Sequence, residues 1–180
     1  MSTLGTSTCG CVISACQKYR YALWRFWEWE SAGVAMAFIG LNPSTADHQQ
    51  DDPTIRRCIG FAKREGYGGI YMLNLFAYRS TDPTVLYRVE NPIGPKNYEW
   101  IAEIHERAGK TVACWGSRGT WQNQDVYVAR LSRVGPDAKT KYVGDDLWCL
   151  GRTKDGHPRH PLYLRLDAPL SRYRVKEHDA

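Results

Sequence analysis

The sequence lacks the short motifs of several large enzyme classes. It contains no GxxxxGK followed by Ser or Thr, no GxGxxG after its first apolar run, no GxSxG turn, and no HExxH or CxxC pair. The first two absences make P-loop phosphate chemistry and a Rossmann dinucleotide site poor interpretations of this chain. The others remove the usual signatures of an α/β-hydrolase serine nucleophile and of a zinc centre.

Long hydrophobic runs are also missing. No apolar stretch approaches the ~18 residues that suggest a membrane-spanning helix. The start, MSTLGTSTCGCVISAC, has no basic region followed by an apolar core, so it does not look like a secretory leader. We therefore expect a cytoplasmic protein with no membrane partner. Its 180 residues suffice for one ordinary domain, which we expect to be a monomer.

The positive charge is modest, whereas aromatic residues are plentiful. The formal net charge is +5, and the chain has 7 Trp and 11 Tyr. A mildly basic chain is compatible with a polyanionic partner such as DNA, and aromatic rings beside Arg suit base stacking. The same rings serve a hydrophobic core equally well. Composition therefore leaves nucleic-acid binding open.

The six cysteines fall into two groups. Cys58, Cys114 and Cys149 lie in apolar periodic segments, where small core residues are expected. The C-x-C-x4-C spacing of Cys9, Cys11 and Cys16 matches no standard metal site. We expect no metal and no cofactor, with a metal at these three cysteines as the alternative.

Apolar runs alternate with helical patterns along most of the chain. Runs at 34–41, 70–76, 110–116 and 147–151 are typical of strands that are buried on both faces. Helical spacing occupies 51–69, 94–109 and 120–135, and Asp52 followed by Pro53 indicates where the first helix begins. We expect a flexible N-terminal segment (1–16), one domain (17–170) and a C-terminal tail (171–180).

This alternation predicts an α/β fold. Strands that are joined by helices form parallel sheets with right-handed crossovers. We predict a single three-layer α/β/α sandwich around a four-stranded parallel central sheet. Ligands of such sheets bind beyond the carboxyl ends of the strands.

Polar and aromatic side chains lie at or beyond the carboxyl ends of all four predicted strands. Asn42, Ser44 and Asp47 follow the first, Asn74 lies near the end of the second, Trp115 lies near the end of the third with Arg118 after it, and His160 comes after the fourth. Asn can read a donor–acceptor edge, an aromatic ring can stack, and His can donate to a developing anion. This set suits a flat, polar ligand such as a nucleobase.

Simpler structural explanations exist for several of these residues. Asn42-Pro43 is a common turn opening, and His160 alone is more often structural. Asn74 interrupts an apolar strand, where an amide is costly unless it is paired. Asp51 and Asp52 are explained by helix capping, or they orient an Arg or hold a cation.

Several motifs resemble those of known families. LNPSTAD, DDPTIRRCIGFA, NLFAYRSTDP, WCLG and RHPLYL together resemble an uncharacterised bacterial and phage domain family, from about Tyr19 to Leu164. More distantly, GLNPS is similar to the Gly-x-Asn-Pro motif of the mismatch-specific branch of the uracil-DNA glycosylase superfamily. Ser44 stands where that branch has Gly, and Leu162 directly follows Pro161. The resemblance implies the superfamily's fold, a parallel sheet between helices.

The resemblance also implies roles for individual residues. Asn42 would position the attacking water and His160 would stabilise the leaving base, which makes them the catalytic pair. The resemblance also has Asn74 read the edge of the base, and Leu162 and Tyr163 wedge into the duplex. The residue types near the strand ends complete the expected site: Gly40, Leu41, Phe76 and Trp115 would contact the base, and Ser44, Arg79, Arg118 and Arg159 would contact DNA and its phosphates.

Three functional hypotheses follow. The first is an enzyme that flips a pyrimidine, possibly modified, out of DNA and cleaves or substitutes at it, as a glycosylase-like hydrolase or a phage-type base-modifying transferase. The second is a non-catalytic DNA or modified-base reader, which would bind DNA in a salt-dependent way without turnover. The third is an enzyme that acts on free nucleotides.

Overall fold

Seven strands form one sheet in the computed structural model, which describes residues 8–28, 35–44, 50–134 and 147–175. In chain order they are β1 (Cys9–Ile13), β2 (Arg20–Phe26), β3 (Met36–Gly40), β4 (Gly69–Asn74), β5 (Lys110–Ala113), β6 (Leu147–Cys149) and β7 (Ser171–Tyr173). Across the sheet the order is β1-β2-β4-β3-β5-β6-β7. Neighbours are antiparallel at β1/β2, β2/β4 and β6/β7 and parallel at the three central junctions.

The predicted fold class is therefore wrong. The sheet is mixed and has seven strands, rather than being the four-stranded parallel sheet of a uracil-DNA glycosylase-like sandwich. The pattern missed β1, β2 and β7, which pair antiparallel at the two sides of the sheet. β1 and β7 are short and partly exposed. They form the edges of the sheet, where strands face solvent, so their sequences lack the continuous apolar signal of central strands.

The segments expected to be flexible contribute to this sheet. β1 lies within residues 1–16, and β7 lies within residues 171–180. Residues 1–7 and 176–180, which complete those two segments, lie outside the described residues. Among the described residues, no helix combines the length and the apolar character that crossing a membrane requires.

Three helices cover the two faces of the sheet: α1 (Pro53–Arg64), α2 (Asn97–Arg107) and α3 (Gln124–Val134). The predicted start of α1 is confirmed, since Asp52 Oδ1 accepts a hydrogen bond from the Ile55 amide at 2.8 Å and Pro53 follows directly. α1 buries Phe61 in one core cluster, whereas α2 and α3 bury Ile104 and Val128 in the other.

The cysteines expected in the core are there. Cys58, Cys114 and Cys149 are free thiols and fully or almost fully buried. Burial raises the pKa of the Cys58 and Cys114 thiols well above the ordinary value, because the thiolate is poorly solvated in the interior. Cys58 and Cys114 therefore act as small apolar residues at neutral pH.

The central parallel strands end side by side. Gly40 pairs with Asn74 at the ends of β3 and β4, and Ile39 pairs with Ala113 at the end of β5. The chain segments that leave these strands therefore start from one edge of the sheet. In sheets with parallel strands, ligands bind at this edge.

Candidate functional site

A cavity of about 430 Å³ opens at this edge of the sheet. Its volume is within the ~300–1,000 Å³ that is typical of small-molecule sites. Nine of the residues singled out from the sequence line it, namely Gly40, Leu41, Asn42, Ser44, Asn74, Trp115, Arg118, His160 and Tyr163. Asp52, expected as a helix cap or as a partner of an Arg or a cation, also lines it, together with residues that were not selected from the sequence, among them Arg20, Thr54, Met72, Ser80 and Ser117.

Asn74 is the most unusual residue of this cavity. Its side chain is only 1% exposed, yet neither Oδ1 nor Nδ2 has a hydrogen-bond partner among the described residues. A Cβ on Gly40 would stand 3.0 Å from Asn74 Oδ1, so the missing side chain of Gly40 makes room for the carboxamide. A buried amide with no partner costs free energy, and this one leaves both a donor and an acceptor unpaired in the wall of the cavity.

Asn42 is held in one orientation. Its Nδ2 donates to the Ser80 carbonyl at 2.8 Å and to the Pro43 carbonyl at 3.2 Å, and the Ser80 amide donates back to the Pro43 carbonyl at 2.9 Å. These bonds tie the turn after β3 to the segment after β4. The two bonds of Nδ2 also distinguish the nitrogen of the Asn42 carboxamide from its oxygen. The acceptor Oδ1 is therefore the part of Asn42 that stays available to a ligand or a water.

Ser44 and Asp52 form a hydrogen-bonded pair in the cavity. The Ser44 hydroxyl donates to Asp52 Oδ2, while Asp52 Oδ1 caps α1. Asp51, the other residue of the double Asp, forms an ion pair with Arg25 at 2.8 Å. Asp47, which was expected at the same rim, lies outside the described residues.

His160 precedes a short 3₁₀ helix (Pro161–Tyr163) at the mouth of the cavity. The Leu162 amide donates to its Nδ1 at 3.4 Å. Burial lowers the pKa of His160, and the nearby charge of Asp52 opposes this effect. His160 is therefore neutral at pH 7, with its proton on Nε2, because Nδ1 acts as the acceptor.

The charges in the cavity include a buried arginine. Arg20 is 2% exposed, and burial lowers the pKa of its guanidinium to about 10, with the charge of Asp52 acting in the opposite direction. Arg20 thus remains a cation at neutral pH. Arg118 also lines the cavity, so the described part of the wall includes two arginines and the carboxylate of Asp52. The sequence pattern missed Arg20 because its segment has no clear period.

Two arginines of α1 hold the segment that follows His160. Arg64 Nη1 donates to the carbonyls of Leu166 at 2.5 Å and Ala168 at 2.6 Å, and Arg57 Nη2 donates to the Leu164 carbonyl. These bonds fix the chain beside Tyr163, whose side chain is 74% exposed at the mouth of the cavity.

Four of the selected residues do not line the cavity. Phe76 is fully buried and packs on Trp121 with ring centroids 5.0 Å apart. Arg79 donates to the Gln17 carbonyl at 3.2 Å. Arg159 Nη2 donates to the Tyr163 carbonyl at 3.5 Å, and Leu162 is exposed.

Trp115 is the buried aromatic residue of the site. It lines the cavity and contacts Tyr173 edge-on, with centroids 5.9 Å apart. A Cβ on Gly119 would overlap the indole, so Gly119 allows the chain to pass directly against the ring. Its Nε1 is buried and has no acceptor within the part of the chain that the structure describes.

Metal ligands do not cluster in the described ranges. No group of three or more His, Cys, Asp or Glu side chains there has the arrangement to hold an ion. Cys9 and Cys11 lie on β1, and Cys16 contacts the Ser14 hydroxyl at 3.3 Å. This hydrogen bond lowers the pKa of the Cys16 thiol.

Comparison with known protein families gives one match. Residues 20–162 match the family described as "Protein of unknown function (DUF1643)". The chain belongs to this family. The match includes every residue of the cavity wall except Tyr163, and it agrees with the expected membership of an uncharacterised family. The comparisons do not link the chain to the uracil-DNA glycosylase superfamily or to a bacterial or phage origin. No curated protein and no solved structure matches the chain.

Proposed function

We propose that the cavity binds a single nucleobase, presented by DNA, and that the protein is an enzyme that cleaves or substitutes at this base. The observation that carries the proposal is the buried carboxamide of Asn74, which lines the cavity with both polar atoms unpaired. Every nucleobase has an edge with neighbouring donors and acceptors, and a carboxamide can pair with such an edge through two hydrogen bonds. Binding would remove the cost of the unpaired amide.

Two further side chains support chemistry beyond binding. Asn42 has its nitrogen fixed by two carbonyls, so its Oδ1 can orient a water molecule as an acceptor. His160 is neutral, and its Nε2–H can donate to negative charge on a departing base. In hydrolysis the water oxygen bonds to the sugar carbon, the bond to the base breaks with its electron pair on the base, and the water proton passes to solvent or base.

The surroundings of the cavity favour a polyanionic substrate. Among the described residues, the wall includes the cations Arg20 and Arg118 and the carboxylate of Asp52, and Tyr163 offers an exposed ring at the mouth. Arginines position phosphates, and aromatic rings stack on bases. Trp115 supplies a second ring for the bound base. A nucleotide within DNA provides both the phosphates and the base that these groups suit.

The test uses labelled DNA duplexes that carry uracil, mismatches or modified pyrimidines. Base release and the mass of the DNA are measured together, so that excision, group transfer and binding without turnover are distinguished. We expect turnover of at least one duplex, with a large loss in Asn42→Ala and His160→Ala and no loss in Ser132→Ala, a buried hydroxyl that donates to the Val128 carbonyl in α3.

The same experiment separates the alternatives. Salt-dependent DNA binding without any product would indicate a base reader, and mass gain without base release would indicate a transferase. Tight mononucleotide binding with little affinity for DNA would indicate an enzyme of free nucleotides. If wild-type protein bound no base, nucleotide or DNA, or if the two substitutions left turnover intact, the proposal would be wrong.

A further inference from the structure

The strand that carries Asn74 has a local irregularity. β2 and β4 pair regularly from Phe26–Gly69 to Leu23–Met72. Beyond this pair, the Arg20 amide donates to the Ala77 carbonyl, and Tyr19 pairs with Tyr78. Three steps along β2 thus correspond to five steps along the neighbouring chain, so two additional residues are inserted between Met72 and Ala77. Such bulges re-aim side chains and often lie beside active sites.

The bulge keeps its hydrogen bonds on one side only. Towards β3, the Leu75 amide donates to the Gly40 carbonyl, and the Phe76 amide donates to the Leu41 carbonyl, both at 2.9 Å. Towards β2, the regular pairing is interrupted. The carbonyls of Asn74 and Leu75 therefore need other donors, because buried backbone groups are costly when they are left unpaired.

Asn97, the first residue of α2, supplies these donors. Its side-chain nitrogen donates to the Asn74 carbonyl and to the Leu75 carbonyl, each at 2.9 Å. Asn97 is 1% exposed, and its Oδ1 has no partner within the described residues. The whole hydrogen-bonding contribution of this buried side chain thus goes to the two bulge carbonyls.

We infer that Asn97 is a positioning residue, which holds the bulge and thereby sets the position of the Asn74 carboxamide in the cavity wall. The link to a ligand rests on the proposed function, whereas the effect of Asn97 on the conformation of Asn74 does not. An amide is suited to this task because one nitrogen provides two donors. Asp at the same place would have none at neutral pH and would set a negative charge against two carbonyls.

The segment before α2 is itself constrained. Gly94 has a φ of 87°, a conformation that favours glycine, and its amide donates to Asn91 Oδ1 at 2.9 Å. A Cβ on Gly94 would come within 2.8 Å of the Tyr19 ring. Tyr19 belongs to the pairing that resumes after the bulge, so the start of α2 and the far end of the bulge are packed against each other.

The first part of the test needs no ligand. The side-chain amide resonances of Asn74 are assigned by NMR with the help of Asn74→Gln, and they are compared in wild-type protein, Asn97→Ala and Ser132→Ala. We expect Asn97→Ala to shift or broaden the Asn74 signals, and Ser132→Ala, which also removes a buried hydrogen bond to a carbonyl, to leave them unchanged. Unchanged Asn74 signals in folded Asn97→Ala would overturn the inference.

The second part measures binding of uridine and of N3-methyluridine, whose pairing edge is blocked. We expect Asn97→Ala to weaken uridine binding by about tenfold to hundredfold, the loss that corresponds to one broken buried hydrogen bond, and to reduce the preference over N3-methyluridine. In protein that already carries Asn74→Ala, the same substitution should change affinity less than twofold. Full additivity of the two substitutions would contradict action through Asn74.

The two parts separate two kinds of failure. If wild-type protein binds no nucleoside but Asn97→Ala alters the Asn74 resonances, the proposed function is wrong and the positioning role stands. If nucleosides bind and neither the resonances nor the preference changes in Asn97→Ala, the positioning role is wrong and the proposed function stands. Asn97→Gln, which keeps both donors on a longer side chain, should recover part of the preference, and no recovery would count against the role.

Discussion

Replacing Asn74 with Leu should make the protein more stable, which is the reverse of the usual effect of a buried substitution. Asn74 is almost fully buried, and neither polar atom of its side chain has a partner in the described structure. Leu has a similar size and needs no hydrogen bond. Since an unpaired buried amide costs about 1–3 kcal/mol in proteins, Asn74→Leu should raise the free energy of unfolding by about this amount.

The same substitution at Asn97 provides a matched control. Asn97 is equally buried, but its nitrogen donates to two buried carbonyls. Asn97→Leu leaves both acceptors unpaired, which costs about 1–3 kcal/mol for each group. The two substitutions therefore have the same chemistry and burial but opposite expected signs. This contrast isolates the unpaired state of Asn74 from general effects of replacing Asn with Leu.

Urea unfolding, followed by tryptophan fluorescence, measures both changes, and calorimetry provides a second measure. For a domain of this size, 1 kcal/mol corresponds to about 2–4 °C in Tm. We also expect Asn74→Leu to lose nucleoside binding, so that stability and binding change in opposite directions. If Asn74→Leu were less stable than wild-type protein while Asn97→Leu was also destabilised, the amide would not be held unpaired for a ligand.

Three further predictions concern the same cavity. Gly40→Ala would place a Cβ 3.0 Å from Asn74 Oδ1 and 2.8 Å from Met72 Cε, so nucleoside affinity measured by calorimetry should fall. Gly60→Ala, whose Cβ would meet Leu166 outside the cavity, should leave this affinity unchanged. Burial lowers the pKa of His160 in the folded protein, so its contribution to stability should be present above its unfolded pKa of about 6.5 and be lost as pH falls towards the folded pKa. In urea titrations, His160→Gln should therefore lose less stability than wild-type protein below pH 6.5. An identical pH profile of the two proteins would contradict this. Tyr163→Ala should leave Tm unchanged because the ring is 74% exposed. If the ring stacks on a base, the same substitution should weaken DNA binding by about tenfold. Unchanged DNA affinity in a fluorescence titration would argue against that contact.

The sequence predicted local features well where one physical cause dominates. Asp52 and Pro53 begin α1 as expected, because an acceptor at the cap and a proline without an amide both suit the first turn. The interior cysteines were recognised from apolar periodicity. The continuous apolar runs correspond to the central strands β3, β4, β5 and β6, since strands covered on both faces must be apolar throughout.

The extent of the sheet could not be predicted in this way. β2 lies in an aromatic and arginine-rich stretch with no clear period, although six of its residues, from Arg20 to Arg25, are buried. Such a strand has no simple pattern, because Arg20 is buried at the cavity while its neighbours pack in the core. The short strands β1 and β7 are stabilised by pairing with distant segments, which a local pattern does not record.

The sequence by itself determined which residue types stand at the ends of the central strands, including Asn42, Asn74, Trp115 and His160. Only the tertiary structure decided how each of them is used. It commits the nitrogen of Asn42 to two carbonyls, leaves Asn74 unpaired beside Gly40, and places Phe76 in the core. It also brings in Arg20 and Asn97 from distant parts of the chain. Hydrogen-bond partners and burial arise from contacts between remote segments, so local sequence patterns cannot specify them.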